Sequence, residues 1–126
     1  MNIVVDLLKI SQTSGDKIDF NTLIFKIELP QRVDIDQSKD LWIFLKTLIS
    51  GGALKIFIDL KNLAYIDSSG IGVLINAAKL VRKDKGDIIL ANVSGEIKNI
   101  FKVINLENFI KVYNSEVDAV NSYRYL

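Results

Sequence analysis

The chain has 126 residues, 49% of them hydrophobic, which is enough for one domain with a proper core and too few for two. Its 16 lysines and arginines nearly balance 15 aspartates and glutamates, so charge does not argue for nucleic acid or an anionic membrane surface as partner. With neither cysteine nor histidine, it has no disulfides, no thiol nucleophile, none of the commonest zinc ligands and no ordinary base for a serine triad.

The N-terminal run Met1-Asn2-Ile3-Val4-Val5-Asp6 lacks a basic region and is broken by a carboxylate, so it does not read as a signal peptide. No apolar run approaches a membrane span, and the expectation is a soluble cytoplasmic domain. Ile3 to Ile10 and Leu23 to Leu29 read as strands, joined by the polar connection Ser11-Gln12-Thr13-Ser14-Gly15-Asp16. In the second strand Phe25, Ile27 and Leu29 alternate with Lys26 and Glu28, which predicts one partly wet face. Pro30, without a backbone donor, ends it.

Leu41, Phe44, Leu45 and Leu48 form one stripe of a first helix from about Gln37 to Ser50, stopped by Gly51-Gly52. Trp42 and Ile43 lie off that stripe, and fit either a wide core face or an exposed docking patch. The run Ala53 to Leu60 barely alternates and therefore reads as a central strand covered on both sides. Asp59 at its end reads as an acceptor of loop amides, with a direct partner contact as the alternative. A second helix carries Ile71, Leu74, Ile75, Ala78 and Val81 on one stripe and ends in the solvated charges Arg82-Lys83-Asp84-Lys85.

Ile88 to Val93 is a further strand, and Ser94 can cap a helix whose buried face is Ile97, Ile100, Phe101 and Ile104. Phe109 to Tyr113 reads as the last strand, and Ser115-Glu116-Val117-Asp118 opens a C-terminal helix. The order β-β-α-β-α-β-α-β-α predicts a single α/β domain with a mixed sheet and about four helices over residues 1–126.

Asp67-Ser68-Ser69-Gly70 stands where the second helix begins, as a polar island between apolar walls. Gly70-Ile71-Gly72 fails as a dinucleotide fingerprint because Ile75 occupies the third glycine position. There is neither a P-loop nor a Gly-x-Ser-x-Gly elbow, and a serine without an adjacent base is a poor nucleophile. An enzyme is therefore not expected, and no cofactor or metal is implied; a small serine hydrolase acting through Ser68 or Ser69 is the catalytic alternative. Asp and Ser are good N-cap residues, yet one is enough for a cap. The same residues suit a phosphate site, since a phosphate adds about −1.5 to −2 charges and sits well at the positive end of a helix. Both readings stay open on chemistry alone.

The segment Ile56-Phe57-Ile58-Asp59-Leu60-Lys61-Asn62-Leu63-Ala64-Tyr65-Ile66-Asp67-Ser68-Ser69-Gly70-Ile71-Gly72-Val73-Leu74 resembles the signature of STAS domains of bacterial anti-sigma factor antagonists. The similarity continues through Ala91-Asn92-Val93-Ser94, the Ile97-to-Phe101 helix and Phe109-Ile110-Lys111-Val112. The resemblance implies phosphorylation at Ser68 by an anti-sigma factor that is itself a GHKL-type serine kinase, and resetting by a metal-dependent serine phosphatase. It also implies that Asp67, Ser68, Ser69, Gly70 and Asp34 meet the partner. The chain departs from the family's Leu-x-Gly-x-Leu-Asp pattern at Leu29-Pro30-Gln31-Arg32-Val33-Asp34, where Gln31 replaces the glycine, and its N-terminal strand and hairpin (1–22) are longer. The same family includes scaffolds of stress-sensing assemblies and small subunits of lipid transporters, which gives a second reading without a phosphate switch.

Overall fold

A computed structural model describes residues 3–9 and 22–124. The expected connection Ser11–Asp16 lies outside those residues. Strands β1 (Val4–Lys9), β2 (Leu23–Glu28), β4 (Lys55–Asp59), β6 (Asp87–Ala91) and β7 (Lys111–Tyr113) form one sheet in the order β1-β2-β4-β6-β7. β1 runs antiparallel to β2, and the other pairs are parallel. The sheet is therefore mixed, with β4 at its centre. Two further strands, β3 (Arg32–Val33) and β5 (Tyr65–Ile66), pair in parallel as a separate ribbon. Helices α1 (Ile35–Ser50), α2 (Ser68–Arg82), α3 (Gly95–Val103) and α4 (Glu116–Arg124) complete the described residues, with a 3-10 turn at Leu106–Asn108.

The period of two along each strand divides the core. Phe25, Ile27, Ile56, Ile58, Ile88 and Leu90 face α1, α2 and α3, while Ile24, Phe57, Ile89 and Ala91 face Ala119 and Tyr123 of α4. β4 is thus covered on both sides, which is why its sequence hardly alternates. On the α4 side, Lys26, Glu28 and Asp59 gather at the strand ends. Lys26 also holds Glu116 in the first turn of α4, and that hydrogen bond, more than any other cause, raises the Lys26 pKa. The face expected to be wet is therefore half-buried and closed by ion pairs. Tyr123 is buried with its hydroxyl 2.8 Å from the carbonyls of Ile56 and Asp87, and burial pushes its pKa up.

Some local expectations change. α1 starts at Ile35, two residues early, because Asp34 and Gln37 form a reciprocal capping box. Its buried residues are Ser38, Leu41, Leu45 and Ile49, with Phe44 and Leu48 half-buried. Ser94 occupies the cap position of α3 but makes no capping bond; its hydroxyl donates instead to the Leu63 carbonyl at 3.2 Å. Only Ile97 and Phe101 of α3 reach the core, whereas Ile100 and Ile104 are exposed, since a single i, i+4 row of that helix packs inward. Phe109 precedes β7 and is exposed. Arg82 is no free surface charge: it binds Asp87 at 3.0 Å and the Phe109 carbonyl at 2.6 Å. Among the described residues no helix is long and apolar enough to cross a membrane.

Candidate functional site: the paired helix starts

Each strand of the β3–β5 ribbon leads directly into a helix. Val33 and Ile66 are register partners and both are buried, so the next residues, Asp34 and Asp67, stand side by side. Both have extended backbones (φ −100°, ψ −167° and φ −103°, ψ −176°) and both are N-caps, of α1 and α2. The Gln31 carbonyl accepts the amides of Ala64 (2.7 Å) and Tyr65 (3.1 Å), and the Val33 carbonyl accepts that of Asp67 (3.3 Å). Gln31 is not among the residues with positive φ, so this loop does not need the glycine that the family pattern has there.

In the motif itself one carboxylate oxygen does the capping. Asp67 Oδ1 accepts the Ser69 amide at 3.0 Å, the Gly70 amide at 3.2 Å and the Ser69 hydroxyl at 2.5 Å. The Ser69 hydroxyl is the largest cause of the lowered Asp67 pKa; the backbone amides add to it, and the nearby Asp34 charge opposes it. Ser69 is half-buried by this arrangement. Ser68, the first residue of α2, is exposed, and its hydroxyl makes no hydrogen bond among the described residues. The two serines thus differ in kind: one is tied down, the other presented.

Gly70 is buried, and its place is set by packing. A Cβ built there would lie 2.7 Å from Ile66 Cγ1 and 3.0 Å from Val33 Cγ1. The glycine lets α2 lie against the ribbon, and so holds Ser68 at the ribbon's end.

Asp34 divides its work between two oxygens. Oδ1 caps α1 through the amides of Asp36 (3.0 Å) and Gln37 (3.4 Å), and Oδ2 receives Arg32 Nε at 3.1 Å. Arg32, more than the amides, lowers the Asp34 pKa. The Arg32 guanidinium also lies over the exposed Tyr65 ring, 4.0 Å from its centroid. Arg32 and Tyr65 were not legible as site residues, because two-residue strands carry no periodic signal. Asp59 belongs to a different cluster, on the α4 side. It is buried and accepts the Lys61 amide and the Asn92 side chain, both at 3.0 Å. Trp42 is half-buried against the core, while Ile43 is 63% exposed. A cleft of about 480 Å³ between α3 and β7, lined by Lys98, Phe101, Lys102 and Val112 among others, shares no residue with the serine corner.

The model of the STAS domain matches residues 16–119. An anti-sigma F factor antagonist of Paenibacillus polymyxa is 31% identical over 52% of this chain and 56% of its own length, so this match spans little more than half of that relative. An anti-sigma-B factor antagonist of Staphylococcus aureus (strain NCTC 8325 / PS 47) is 23% identical over 83% of this chain and 92% of its own. Among solved structures, the Bacillus cell-fate determinant SpoIIAA in its phosphorylated form superposes with a TM-score of 0.63 at 20% identity, covering 94% of this chain and 98% of that one. At that identity the likeness concerns the fold. The family match extends over most of the chain and includes both helix starts and the ribbon between them: this protein belongs to the STAS domain family.

Proposed function

We propose that this protein is an anti-sigma factor antagonist whose binding is controlled by phosphorylation of Ser68. In the unmodified state the corner made by Asp67, Ser68, Ser69, Gly70 and Asp34 docks on an anti-sigma factor in the cytoplasm and so frees a sigma factor. The partner is also a GHKL-type kinase: the Ser68 hydroxyl gives up its proton, takes the γ-phosphoryl group of ATP, and ADP leaves. A metal-dependent serine phosphatase hydrolyses the ester and resets the switch. In this reading the domain is a binding module and performs no catalysis.

The observation that carries the reading is the difference between the two serines. Ser68 offers an exposed hydroxyl with no partner among the described residues in the first turn of α2, whereas the Ser69 hydroxyl is held by Asp67. A phosphate on Ser68 gains from the positive end of α2, so the fold tolerates it, while a docked partner meets new negative charge and bulk. The names of the relatives and the phosphorylated state of SpoIIAA support the same reading by analogy.

The test is recovery of the protein from its own cells with and without ATP, followed by intact mass and peptide mapping. One phosphate at Ser68, gained together with loss of a kinase-like partner, is the expected result. Ser68→Ala is expected to keep the partner in the presence of ATP, and Ser68→Asp to lose it. Equal retention of wild type, Ser68→Asp and phosphorylated protein would refute the switch and favour a scaffold role.

A further inference from the structure

The cap motif of α2 does not require a cation, yet Arg32 stands at its edge. The Cα atoms of Arg32 and Tyr65 are register partners, and Ser68 follows Tyr65 by three residues. Three residues of even fully extended chain span about 10 Å. The strand spacing of about 4.8 Å lies across that run, so the Cα atoms of Arg32 and Ser68 stand about 11 Å apart at full extension, a gap that an arginine side chain and a phosphoserine reaching toward each other cover. The guanidinium is already on the outward face of the ribbon, over the Tyr65 ring, and its side chain is 58% exposed. Only Nε is engaged, by Asp34 Oδ2; neither amino group of the fork makes a hydrogen bond among the described residues.

We propose that Arg32 forms an intramolecular phosphomonoester site for phosphorylated Ser68, leaving Asp34 to take the phosphate. The proposal rests on Ser68 being the modified residue. Three features favour the exchange. A phosphate presents up to two charges and three acceptors to the fork, against one carboxylate oxygen at present, and Arg suits such bidentate recognition. Release of Asp34 Oδ2 leaves the α1 cap intact, because the cap bonds go to Oδ1. The Tyr65 ring gives the guanidinium a surface to pivot on without losing its cation–π contact.

The consequence reaches beyond the serine. Before modification Arg32 neutralises Asp34; afterwards it neutralises part of the phosphate and leaves Asp34 bare. The docking face then changes at both helix starts, and a partner that reads Asp34 as well as Ser68 meets two altered positions.

The decisive experiment places phosphoserine at position 68 during synthesis through a reassigned codon, so no kinase is needed. The phosphate is then titrated by 31P NMR in the wild-type background and in Arg32→Gln and Arg32→Lys. An adjacent cation favours the dianion, so the phosphate's proton affinity is expected to be at least about threefold lower with Arg32 than with Gln, and intermediate with Lys. The Arg32 side-chain Nε–H resonance is expected to move on phosphorylation while backbone amides of α1 stay in place. Superimposable titration curves for wild type and Arg32→Gln, or an unmoved Nε–H resonance, would overturn the proposal. Because the phosphate is installed synthetically, this result is independent of whether cells modify Ser68, which the intact-mass experiment decides.

Discussion

Replacing Gly70 by alanine is expected to destabilise the domain, against the ordinary rule for a glycine in a helix. In a helix interior alanine is favoured over glycine by about 0.8–1.0 kcal/mol. At Gly70 the added methyl meets Ile66 Cγ1 at 2.7 Å and Val33 Cγ1 at 3.0 Å, and both side chains are buried. Forcing a methyl into such a site costs about 1–3 kcal/mol. The difference leaves a net loss of about 1 kcal/mol. With an unfolding entropy of about 2.1 cal/mol/K per residue over 126 residues, that lowers Tm by about 4 °C. Gly72 supplies the internal control, since a Cβ there meets nothing within 4 Å. Gly72→Ala is therefore expected to raise Tm by a similar amount. Thermal unfolding of the two variants, with Gly70→Ala repeated in an Ile66→Ala background, measures both the sign and the coupling. The Gly70 penalty should shrink once Ile66 is truncated. If Gly70→Ala is as stabilising as Gly72→Ala, close packing of α2 on the ribbon is not what selects the glycine.

Tyr123→Phe should cost about 1–2 kcal/mol, read as a lower urea midpoint, because it removes the buried hydroxyl shared by the Ile56 and Asp87 carbonyls. Asp34 and Asp67 have folded pKa values below the unfolded value of 3.8, so the stability they contribute is present above that pH and lost as pH falls through the folded values. Tm of the wild type should accordingly fall more steeply between pH 4 and 2 than that of Asp34→Asn or Asp67→Asn; parallel curves would contradict the assignment. Ser69→Ala should let the Asp67 carboxyl titrate closer to its ordinary value, followed by 13C NMR, while leaving Ser68 open to phosphate.

Much of the architecture was readable because burial imposes a period. The central strand Lys55–Asp59 is covered on both faces, so its middle, Ile56-Phe57-Ile58, had to be apolar without alternation, and α2 shows its stripe because one side faces the sheet. Asp67 as a cap and Asp59 as an acceptor of loop amides followed from their positions at element ends. Less could be read where side chains answer to partners distant in the chain. Ser94 turned to the Leu63 carbonyl, Arg82 to that of Phe109, and Ile100 and Ile104 stayed outside the core, since nothing in their own segments says what packs beside them.

The serine corner divides along the same line. Local sequence determined that a capped helix begins at Asp67-Ser68-Ser69-Gly70, because capping and helical spacing are properties of neighbouring residues. The structure gave the geometric reason for the resemblance's choice of Ser68, tying the Ser69 hydroxyl to Asp67 and leaving that of Ser68 presented. It also set a second helix start beside the first, through two-residue strands that bring together segments about thirty residues apart. Arg32 and Asp34 come beside the Tyr65-to-Ser68 segment through that pairing, and pairing across such a distance leaves no period in the sequence to read.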